Sequence, residues 1–228
     1  MCTTACIMFG AAHLTPSEVR GKRVIEVGSY DMNGSLRPIV SAWSPAEYVG
    51  VDITPGPGVD MIVGADDILA KFGRERFDIV LTTEMVEHVR NWRTVFSNLK
   101  NITAPNGIII LTTRSPGFFY HPHPEDFWRY TADDMRTIFS DCRIEALESD
   151  DYYPGIFVRA VKPADFKETD LSHFNLTSII TGTRILDIDE KTLADFKVRF
   201  ERRRKLRKKL AALEQFFVSL GRRIIPKV

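Results

Sequence analysis

The sequence is poor in cysteine, has no long apolar run and carries almost no net charge. Its three cysteines among 228 residues are too few for a disulfide scaffold, and an odd number of them fits a reducing compartment. No run of about 18 apolar residues is present, which argues against a membrane-spanning helix. The first residues lack the basic segment that precedes the apolar stretch of a secretory signal. These features predict a soluble, cytoplasmic protein.

The charges that are present are unevenly distributed along the chain. The net charge is +1, but 13 of the 31 Lys and Arg residues and only three of the 30 acidic residues fall between positions 191 and 228. An acidic body with a basic tail is typical of a protein that uses the tail as an interaction segment.

The basic tail also carries an apolar stripe. Apolar residues recur there at intervals of three and four, as on one face of an amphipathic helix: Leu206, Leu210, Leu213, Phe217, Leu220 and Ile224. Such a helix can lie on an anionic membrane surface or pair with a second helix. We therefore expect peripheral contact with the inner membrane surface or self-association through the tail. We do not expect nucleic acid as a partner, because no recognisable binding module is present and the body is acidic.

Short β-branched runs alternate with amphipathic segments between positions 22 and 162. This alternation predicts an α/β fold with a doubly wound, Rossmann-like, mostly parallel sheet of seven strands and helices on both faces. The predicted strands are 23–27, 48–53, 60–63, 77–83, 108–113, 143–147 and 155–161. We place this domain at residues 1–165 and a C-terminal extension with the basic helix at residues 166–228. Residues 175–188 are weakly periodic and receive no assignment.

Helices are predicted at 33–43, at 66–72 and after the fourth strand, where Val86, Val95 and Leu99 lie near helical spacing. A further helix begins at Thr131, because Thr-Ala-Asp-Asp is a capping signal. In the turn before the fifth strand, Asn106 tolerates the left-handed conformation that a glycine would otherwise supply. Cys2 and Cys6 are interpreted as ordinary terminal thiols.

The first strand ends in a glycine-bearing turn. Glycine lets the backbone approach a ligand, and the following helix offers unpaired N–H groups. The turn lacks the Gly-x-Gly-x-x-Gly pattern of dinucleotide sites, because Tyr30 replaces the middle glycine. Asp52 closes the second strand, where a carboxylate can accept hydrogen bonds from both ribose hydroxyls. Together with Glu26 on the first strand, Asp52 indicates a nucleoside ligand without a pyrophosphate.

Four segments in order resemble the class I S-adenosylmethionine-dependent methyltransferases of the type called methyltransferase 11. They are VIEVGSYDMNGS, YVGVDI, FDIVLTTEMVEHV and PNGIIILTTRS, within residues 22–162. The resemblance implies S-adenosyl-L-methionine as the cofactor. The cofactor-binding residues that it implies are Glu26, Gly28, Ser29, Tyr30, Asn33, Gly34, Asp52, Ile53, Ala65, Asp66, Glu84 and Met85. The loop is expected to follow a variant path through Asn33 and Gly34, and Asp67 is placed as well as Asp66 for the adenine contact.

Two groups of residues are candidates for the chemistry on the acceptor. Glu84, Glu87 and His88 follow the fourth strand, and helical spacing would put Glu84 and His88 on one face. The loop at 115–131 combines histidines and acids with aromatic residues, which suits an acceptor pocket. We predict His88, His121, His123 and Asp126 as catalytic residues. The predicted acceptor contacts are Glu87, Phe119, Tyr120, Trp128, Arg129 and Tyr130.

Other interpretations of these residues remain open. His88 could be a structural histidine, and the loop could be a rigid lid whose Trp128 covers the core. If the loop is extended, His121 and His123 point the same way and, with Glu125 and Asp126, could bind a divalent metal. Our prediction is nevertheless that no metal is bound.

The resemblance implies an enzyme, a transferase that moves a methyl group from S-adenosylmethionine to an acceptor. The histidine-rich loop and the basic tail favour an O-methyltransferase that acts on a hydroxyl of a sugar, a glycan or a small polar molecule. The alternatives are methylation of a lipid-like ring or of a nitrogen on RNA or protein, and a cofactor-binding module without catalysis.

Overall fold

The computed structural model describes the backbone of residues 3–224 and the side chains of residues 3–213 and 215. The strands are β1 (Arg23–Val27), β2 (Glu47–Asp52), β3 (Met61–Ile62), β4 (Phe77–Thr83), β5 (Thr103–Arg114), β6 (Trp128–Arg129), β7 (Arg143–Ser149), β8 (Gly155–Val161), β9 (Leu176–Ser178) and β10 (Arg184–Ile185). The helices are α1 (Thr4–Ala12), α2 (Pro16–Val19), α3 (Arg37–Ala42), α4 (Ile68–Phe72), α5 (Trp92–Ile102), α6 (Ala132–Ile138) and α7 (Glu190–Ile224).

Seven strands form the main sheet in the order β3-β2-β1-β4-β5-β8-β7. The first five in this order run parallel, and β8 is antiparallel to both of its neighbours. The predicted α/β fold with a mostly parallel seven-stranded sheet is thereby confirmed. The strand order reverses between β1 and β4, and ligands of such sheets bind at the carboxyl ends of the strands at this reversal.

The central strands form where they do because the sheet is covered on both sides. Residues 24–27 of β1 are all buried, as are all but one residue of β4. A strand buried on both faces is a continuous apolar run. Helix α1 supplies part of the cover, since Cys6 and Phe9 belong to the same buried cluster as Val24 and Ile79.

The segment after β4 differs from the prediction. A 3-10 turn at Val86–His88 and the separate helix α5 replace the single helix that we expected. Glu84 has φ of 54°, and its N–H donates to the carbonyl of Thr112 at 2.9 Å, which continues the strand pairing by one residue. The expectation that Glu84 and His88 share one helical face is therefore wrong. Helix α3 likewise begins at Arg37 rather than at position 33.

Two local predictions about caps and turns are confirmed. Thr131 is the N-cap of α6, and its side chain and that of Asp134 form a reciprocal capping box. Asn106 adopts a left-handed conformation with φ of 60°.

The two N-terminal helices, α1 and α2, were not predicted from the sequence. Thr3 caps α1 by accepting a hydrogen bond from the Cys6 N–H, and Thr15 with Glu18 forms a capping box at α2. The thiol of Cys6 is buried and donates to Glu84 Oε1 at 3.5 Å, so the interpretation of Cys6 as an ordinary terminal thiol is wrong. Cys2 lies outside the described residues.

A second, small sheet has the strand order β10-β9-β6. Its pairing joins Trp128 to Ser178 and Arg129 to Thr177, so the unassigned stretch at 175–188 contains two short strands. The chain divides into two compact units, Met1–Leu186 and Asp187–Val228. Our boundary after residue 165 stays a prediction, although residues 166–186 are grouped with the first unit.

Helix α7 contains the predicted basic amphipathic segment. Leu206, Leu210 and Leu213 are each more than half exposed, whereas the side chains of Phe217, Leu220 and Ile224 lie outside those that the structure describes. Among the described residues, no helix combines the length and the apolar character needed to cross a membrane.

Candidate active site

A cavity of about 350 Å3 opens at the carboxyl ends of β1, β2 and β4, which is within the range of small-molecule sites. Twelve of the predicted site residues line it: Glu26, Gly28, Ser29, Tyr30, Gly34, Asp52, Ile53, Ala65, Glu84, Met85, His88 and His123. Sequence reasoning missed a further set of lining residues: Val27, Met32, Ser35, Thr54, Val63, Thr83, Val89 and Pro124.

The turn after β1 needs glycine at two positions. Gly28 and Gly34 have φ of 80° and 125°, which L side chains rarely adopt. A Cβ on Gly28 would lie 2.6 Å from the side chain of Met85, and one on Gly34 would lie 2.8 Å from that of Ile7. The turn is therefore packed closely between the cavity and α1.

Asp52 lies at the end of β2 with its carboxylate held by the backbone. Oδ2 accepts from the Tyr30 N–H at 3.2 Å, and Oδ1 accepts from the Thr54 N–H at 3.0 Å. Each carboxylate oxygen has two lone pairs, so both can accept a further hydrogen bond from a hydroxyl in the cavity.

Glu26 is 1% exposed and is held by neutral hydroxyl groups. Tyr48 donates to Oε2 at 2.8 Å, and the Ser35 hydroxyl lies 3.1 and 3.2 Å from the two carboxylate oxygens. Burial raises the pKa of Glu26 to about 7, although the two hydroxyl donors lower it in part. Neither Tyr48 nor Ser35 was predicted, because each is distant in sequence from the glutamate that it holds.

Tyr30, which replaces the middle glycine of the turn, places its ring beside the segment that follows β2. The ring lies against Gly56, where a Cβ would be 1.9 Å from a ring carbon. The same ring stacks on His123 with 6.5 Å between the centroids. A predicted cofactor residue and a predicted catalytic residue thus form one aromatic wall of the cavity.

Glu84 lies between the cavity and a buried arginine that the sequence analysis did not single out. Its carboxylate forms an ion pair with Arg114 and accepts from the thiol of Cys6. Burial raises the pKa of Glu84 well above its usual value, and the charge of Glu87 raises it further.

Glu87 is completely buried behind the cavity wall. Its Oε2 accepts from the Thr113 hydroxyl at 2.8 Å. Its Oε1 lies 3.7 Å from Nε2 of His88 and 3.7 Å from Nε2 of His121. Burial raises the pKa of Glu87, but the interactions with His121 and His88 outweigh it and lower the pKa to about 2.

His88 lines the cavity, with one ring nitrogen hydrogen-bonded and the other buried. Its Nδ1 lies 2.6 Å from the carbonyl oxygen of Glu125. Because a carbonyl can only accept, Nδ1 must carry the proton, and Nε2 is then unprotonated in the neutral ring. Nε2 has no hydrogen-bond partner. Burial lowers the pKa of His88, despite the opposing charge of Glu87.

His121 and Asp126 belong to a buried ionic network and do not line the cavity. Asp126 accepts from Arg129 at 2.5 and 2.7 Å and lies 2.9 Å from His121 Nδ1. Burial raises the pKa of Asp126, but Arg129 and His121 lower it below its usual range. Burial lowers the pKa of His121, but Asp126 and Glu87 raise it overall. Since Asp126 is fully buried, the prediction that it is a catalytic residue is corrected to a role in positioning His121.

The predicted acceptor residues are not brought to the cavity. Trp128, Arg129 and Tyr130 are at most 1% exposed. The Trp128 indole donates to the Val89 carbonyl at 3.0 Å, and the Tyr130 hydroxyl donates to the Val86 carbonyl at 3.1 Å. These three residues pack the loop against the core, as the alternative interpretation of a rigid lid has it. Phe119 is 65% exposed, and neither it nor the partly buried Tyr120 lines the cavity.

Three other predictions about site residues also differ from the structure. Asn33 and Asp66 do not line the cavity, and neither does Asp67. The backbone carbonyl of Asp66 accepts from Asn98, and its neighbour Ala65 lines the cavity instead. The predicted alternative of a metal site on the loop at 115–131 is not assembled, because His123 stacks on Tyr30 while His121 lies against His88.

The strand order and a cavity at its reversal define the class I S-adenosylmethionine-dependent methyltransferase fold. A family model described as a methyltransferase domain matches residues 10–148. The chain belongs to this family. The match confirms both the resemblance and the cofactor that it implies, S-adenosylmethionine.

Solved structures share this fold at low sequence identity. An S-adenosylmethionine-dependent methyltransferase from Mesorhizobium loti is 15% identical with a TM-score of 0.54, over 70% of this chain and 99% of that one. The 1,6-didemethyltoxoflavin-N1-methyltransferase of Burkholderia thailandensis, solved with bound 1,6-didemethyltoxoflavin and S-adenosylhomocysteine, is 15% identical with a TM-score of 0.57, over 70% of this chain and 79% of that one.

The curated relatives are ubiquinone biosynthesis O-methyltransferases. That of Azorhizobium caulinodans is 33% identical over 108 residues, which are 42% of this chain and 41% of the relative. That of Rhizobium etli is 30% identical over 122 residues, which are 48% of this chain and 48% of the relative. The match thus spans less than half the length of these relatives.

The residues of the cavity fit the cofactor. Asp52 has lone pairs for two ribose hydroxyls, and Gly28 has no side chain of its own at the turn, where the Met85 side chain packs instead. The hydroxyl of Ser29, which lines the cavity, is buried without a hydrogen-bond partner. No lysine or arginine lines the cavity among the described residues, which suits a nucleoside without phosphate groups.

Proposed function

We propose that the chain is an O-methyltransferase that transfers the methyl group of S-adenosylmethionine to a hydroxyl of its acceptor. The observation that carries this proposal is the position of His88, whose imidazole lines the same cavity as Asp52 and whose Nε2 has no hydrogen-bond partner. A buried neutral imidazole beside a cofactor cavity suits the removal of a proton from a hydroxyl group.

The residues at the ends of β1 and β2 hold the cofactor. Asp52 accepts from the ribose hydroxyls, while Tyr30 N–H and Thr54 N–H keep its carboxylate in place. The bound cofactor supplies a methyl group already activated by its sulfonium sulfur, so the protein has mainly to position the acceptor.

His88 takes the acceptor proton in this scheme. The Glu125 carbonyl fixes the tautomer in which Nε2 is the base. Because burial keeps the pKa of His88 below its usual value, the ring is neutral near pH 7 and ready to accept. Removing such a base costs about 100- to 10,000-fold in rate.

For the acceptor we propose a sugar, a glycan or a small polar molecule. Tyr30 and His123 form an aromatic surface on the cavity, and aromatic faces stack on the C–H surface of sugar rings. The names of the curated relatives support oxygen as the methylated atom. A lipid-like ring and a nitrogen on RNA or protein are the other outcomes that an acceptor screen can return.

Calorimetric titration with S-adenosylmethionine and S-adenosylhomocysteine tests the cofactor site. Asp52→Ala removes acceptors of charge-assisted hydrogen bonds worth about 1.5–3 kcal/mol each, so binding should weaken about 10- to 100-fold. Asp66→Ala is the matched control, because Asp66 does not line the cavity, and it should bind like the wild type. Absence of saturable binding by the wild type would contradict the proposed function.

An acceptor screen tests the chemistry. His88→Ala should lose at least 100-fold in turnover of hydroxyl acceptors while still binding the cofactor. His173→Ala, which changes an exposed histidine, should retain full turnover. Turnover of amines in preference to hydroxyls would replace oxygen by nitrogen, and cofactor binding without turnover of any acceptor would favour a non-catalytic module.

We also propose that α7 binds an anionic membrane surface, consistent with a peripheral cytoplasmic location. Its Leu206, Leu210 and Leu213 are exposed among basic residues, the combination found in surface-binding helices. Replacing Arg202, Arg203 and Lys205 by Ser should weaken binding to phosphatidylglycerol vesicles about 100-fold, at about 1 kcal/mol per charge. Sedimentation as a dimer without vesicle binding would favour self-association instead.

A further inference from the structure

Glu87, His88 and His121 bring three potential metal ligands together behind the cavity wall. We propose that Glu87 Oε1, His88 Nε2 and His121 Nε2 bind a divalent transition-metal ion of the Zn2+ class. The three side chains come from the turn after β4 and from the loop after β5, and their ligand atoms all lie within 4.8 Å of one another.

The distances are close to those of a metal site. Glu87 Oε1 lies 3.7 Å from each of the two Nε2 atoms. Two ligands of a tetrahedral ion with bonds of about 2.1 Å lie about 3.4 Å apart. The two imidazole nitrogens lie within 4.8 Å of each other, so binding an ion would require the rings to rotate towards it. Two imidazoles and a carboxylate favour Zn2+ or a similar ion over Mg2+ or Ca2+, which prefer oxygen ligands.

Each ligand is oriented through its other polar atom, as is usual around protein-bound metals. His88 Nδ1 is bonded to the Glu125 carbonyl, and His121 Nδ1 lies 2.9 Å from Asp126 Oδ2. The Thr113 hydroxyl donates to Glu87 Oε2. These partners leave one potential ligand atom on each side chain, and the three atoms lie within 4.8 Å of one another.

Two of the three inward atoms are buried without a hydrogen-bond partner. They are Glu87 Oε1 and His88 Nε2, on side chains that are 0% and 9% exposed. Buried polar atoms without a partner destabilise the fold. A bound cation would satisfy both atoms at once.

The site bears on the proposed function because His88 also lines the cavity. The inference rests on the proposed function in one respect: an ion bound to His88 Nε2 would occupy the lone pair that accepts the acceptor proton, so methyl transfer with His88 as the base would be a property of the ion-free protein. Binding of the ion itself does not depend on whether methyl transfer is the reaction.

Titration of the chelator-treated full chain with Zn2+, and separately with Co2+, tests the site without cofactor or acceptor. The expected result is saturable binding of one ion per chain. His121→Ala should weaken it at least 100-fold, and Thr113→Val, which only removes the hydroxyl that orients Glu87, should weaken it about 10- to 100-fold. His173→Ala is the matched surface-histidine control and should bind like the wild type.

Circular dichroism should first establish that each variant is folded. If His121→Ala does not fold, Glu87→Gln provides the same test with a side chain of equal size. No saturable binding by the wild type, or equal binding by the wild type and a folded ligand variant, overturns the proposal. The same preparations titrated with S-adenosylmethionine separate the two hypotheses, because cofactor binding without Zn2+ binding contradicts only the metal site.

Discussion

Two glutamates at the site, Glu26 on β1 and Glu87 after β4, are equally buried, but their pKa values are shifted in opposite directions. Their exposures are 1% and 0%. The pKa of Glu26 is raised to about 7, whereas that of Glu87 is lowered to about 2. Burial acts in the same sense on both, so the difference comes from their partners.

We call the part of the site around Glu26 and Asp52 the cofactor side, and the part around Glu87, His88, His121 and Asp126 the acceptor side. The carboxylate of Glu26 is held by neutral donors, whereas that of Glu87 is held by groups that can carry charge. Tyr48 and Ser35 donate hydroxyl protons to Glu26, which offsets only part of the cost of burying a charge. Glu87 faces the imidazoles of His88 and His121, and positive charge stabilises its ionised form. The charge of the partner therefore decides the ionisation state at equal burial.

The largest expected effect on stability comes from removing a buried charge from the acceptor side. Asp126→Ala leaves the buried guanidinium of Arg129 without its carboxylate and should lower the free energy of unfolding by about 3–5 kcal/mol. Asp133→Ala removes the same kind of pair, Asp133 with Arg136, at an exposed site and should cost no more than about 1 kcal/mol. Urea unfolding of both variants measures this, and equal losses would contradict the ionic role of Asp126.

Glu26 and Glu87 should also contribute with opposite signs to the pH dependence of the free energy of unfolding. Between pH 4.5 and 7 the unfolded chain has lost the Glu26 proton while the folded chain keeps it. The free energy of unfolding should therefore fall as the pH rises through this window, by on the order of 3 kcal/mol from this residue. Glu87 acts with the opposite sign at lower pH, because its stabilising charge is lost as the pH falls from 4.5 towards about 2.

Glu26→Gln isolates the contribution of Glu26, because the amide does not titrate. Urea unfolding at pH 5 and pH 7.5 should give a smaller difference between the two pH values in this variant than in the wild type. An unchanged difference would mean that Glu26 keeps an ordinary pKa in the folded protein.

The smallest expected effect comes from removing one neutral donor. Tyr48→Phe deletes the hydroxyl that donates to Glu26 Oε2. It should cost about 1 kcal/mol of stability and raise the pKa of Glu26 further, because that bond favours the ionised form. NMR titration of the Glu26 carboxyl measures the second effect. Tyr152→Phe changes an exposed tyrosine and should leave this titration unchanged.

The parts of the molecule that the sequence predicts well depend on local patterns. Strands β1, β4 and β8 have the predicted bounds, because a strand buried on both faces is a mostly apolar run between polar residues. Glu26, Gly28 and Asp52 follow from the same pattern, since the end of a parallel strand fixes which residues face the crevice. These are the residues of the cofactor side.

The acceptor side could not be predicted to the same extent, because its contacts are between distant residues. A polar and aromatic loop has the same composition whether Trp128 and Tyr130 line a pocket or pack against the core. The positive φ of Glu84 interrupts the helical spacing that the apolar residues suggest. Helix α1 was missed because it is apolar around most of its circumference, so no periodic pattern marks it.

The small sheet β10-β9-β6 has a consequence for protein engineering. Because Trp128 and Arg129 pair with residues 177 and 178, the loop at 115–131 is joined at its end to a hairpin almost fifty positions further along the chain. A chimaera that exchanges the loop alone would present a foreign strand to this hairpin. Loop and hairpin therefore form one structural unit, and grafting the loop requires moving both.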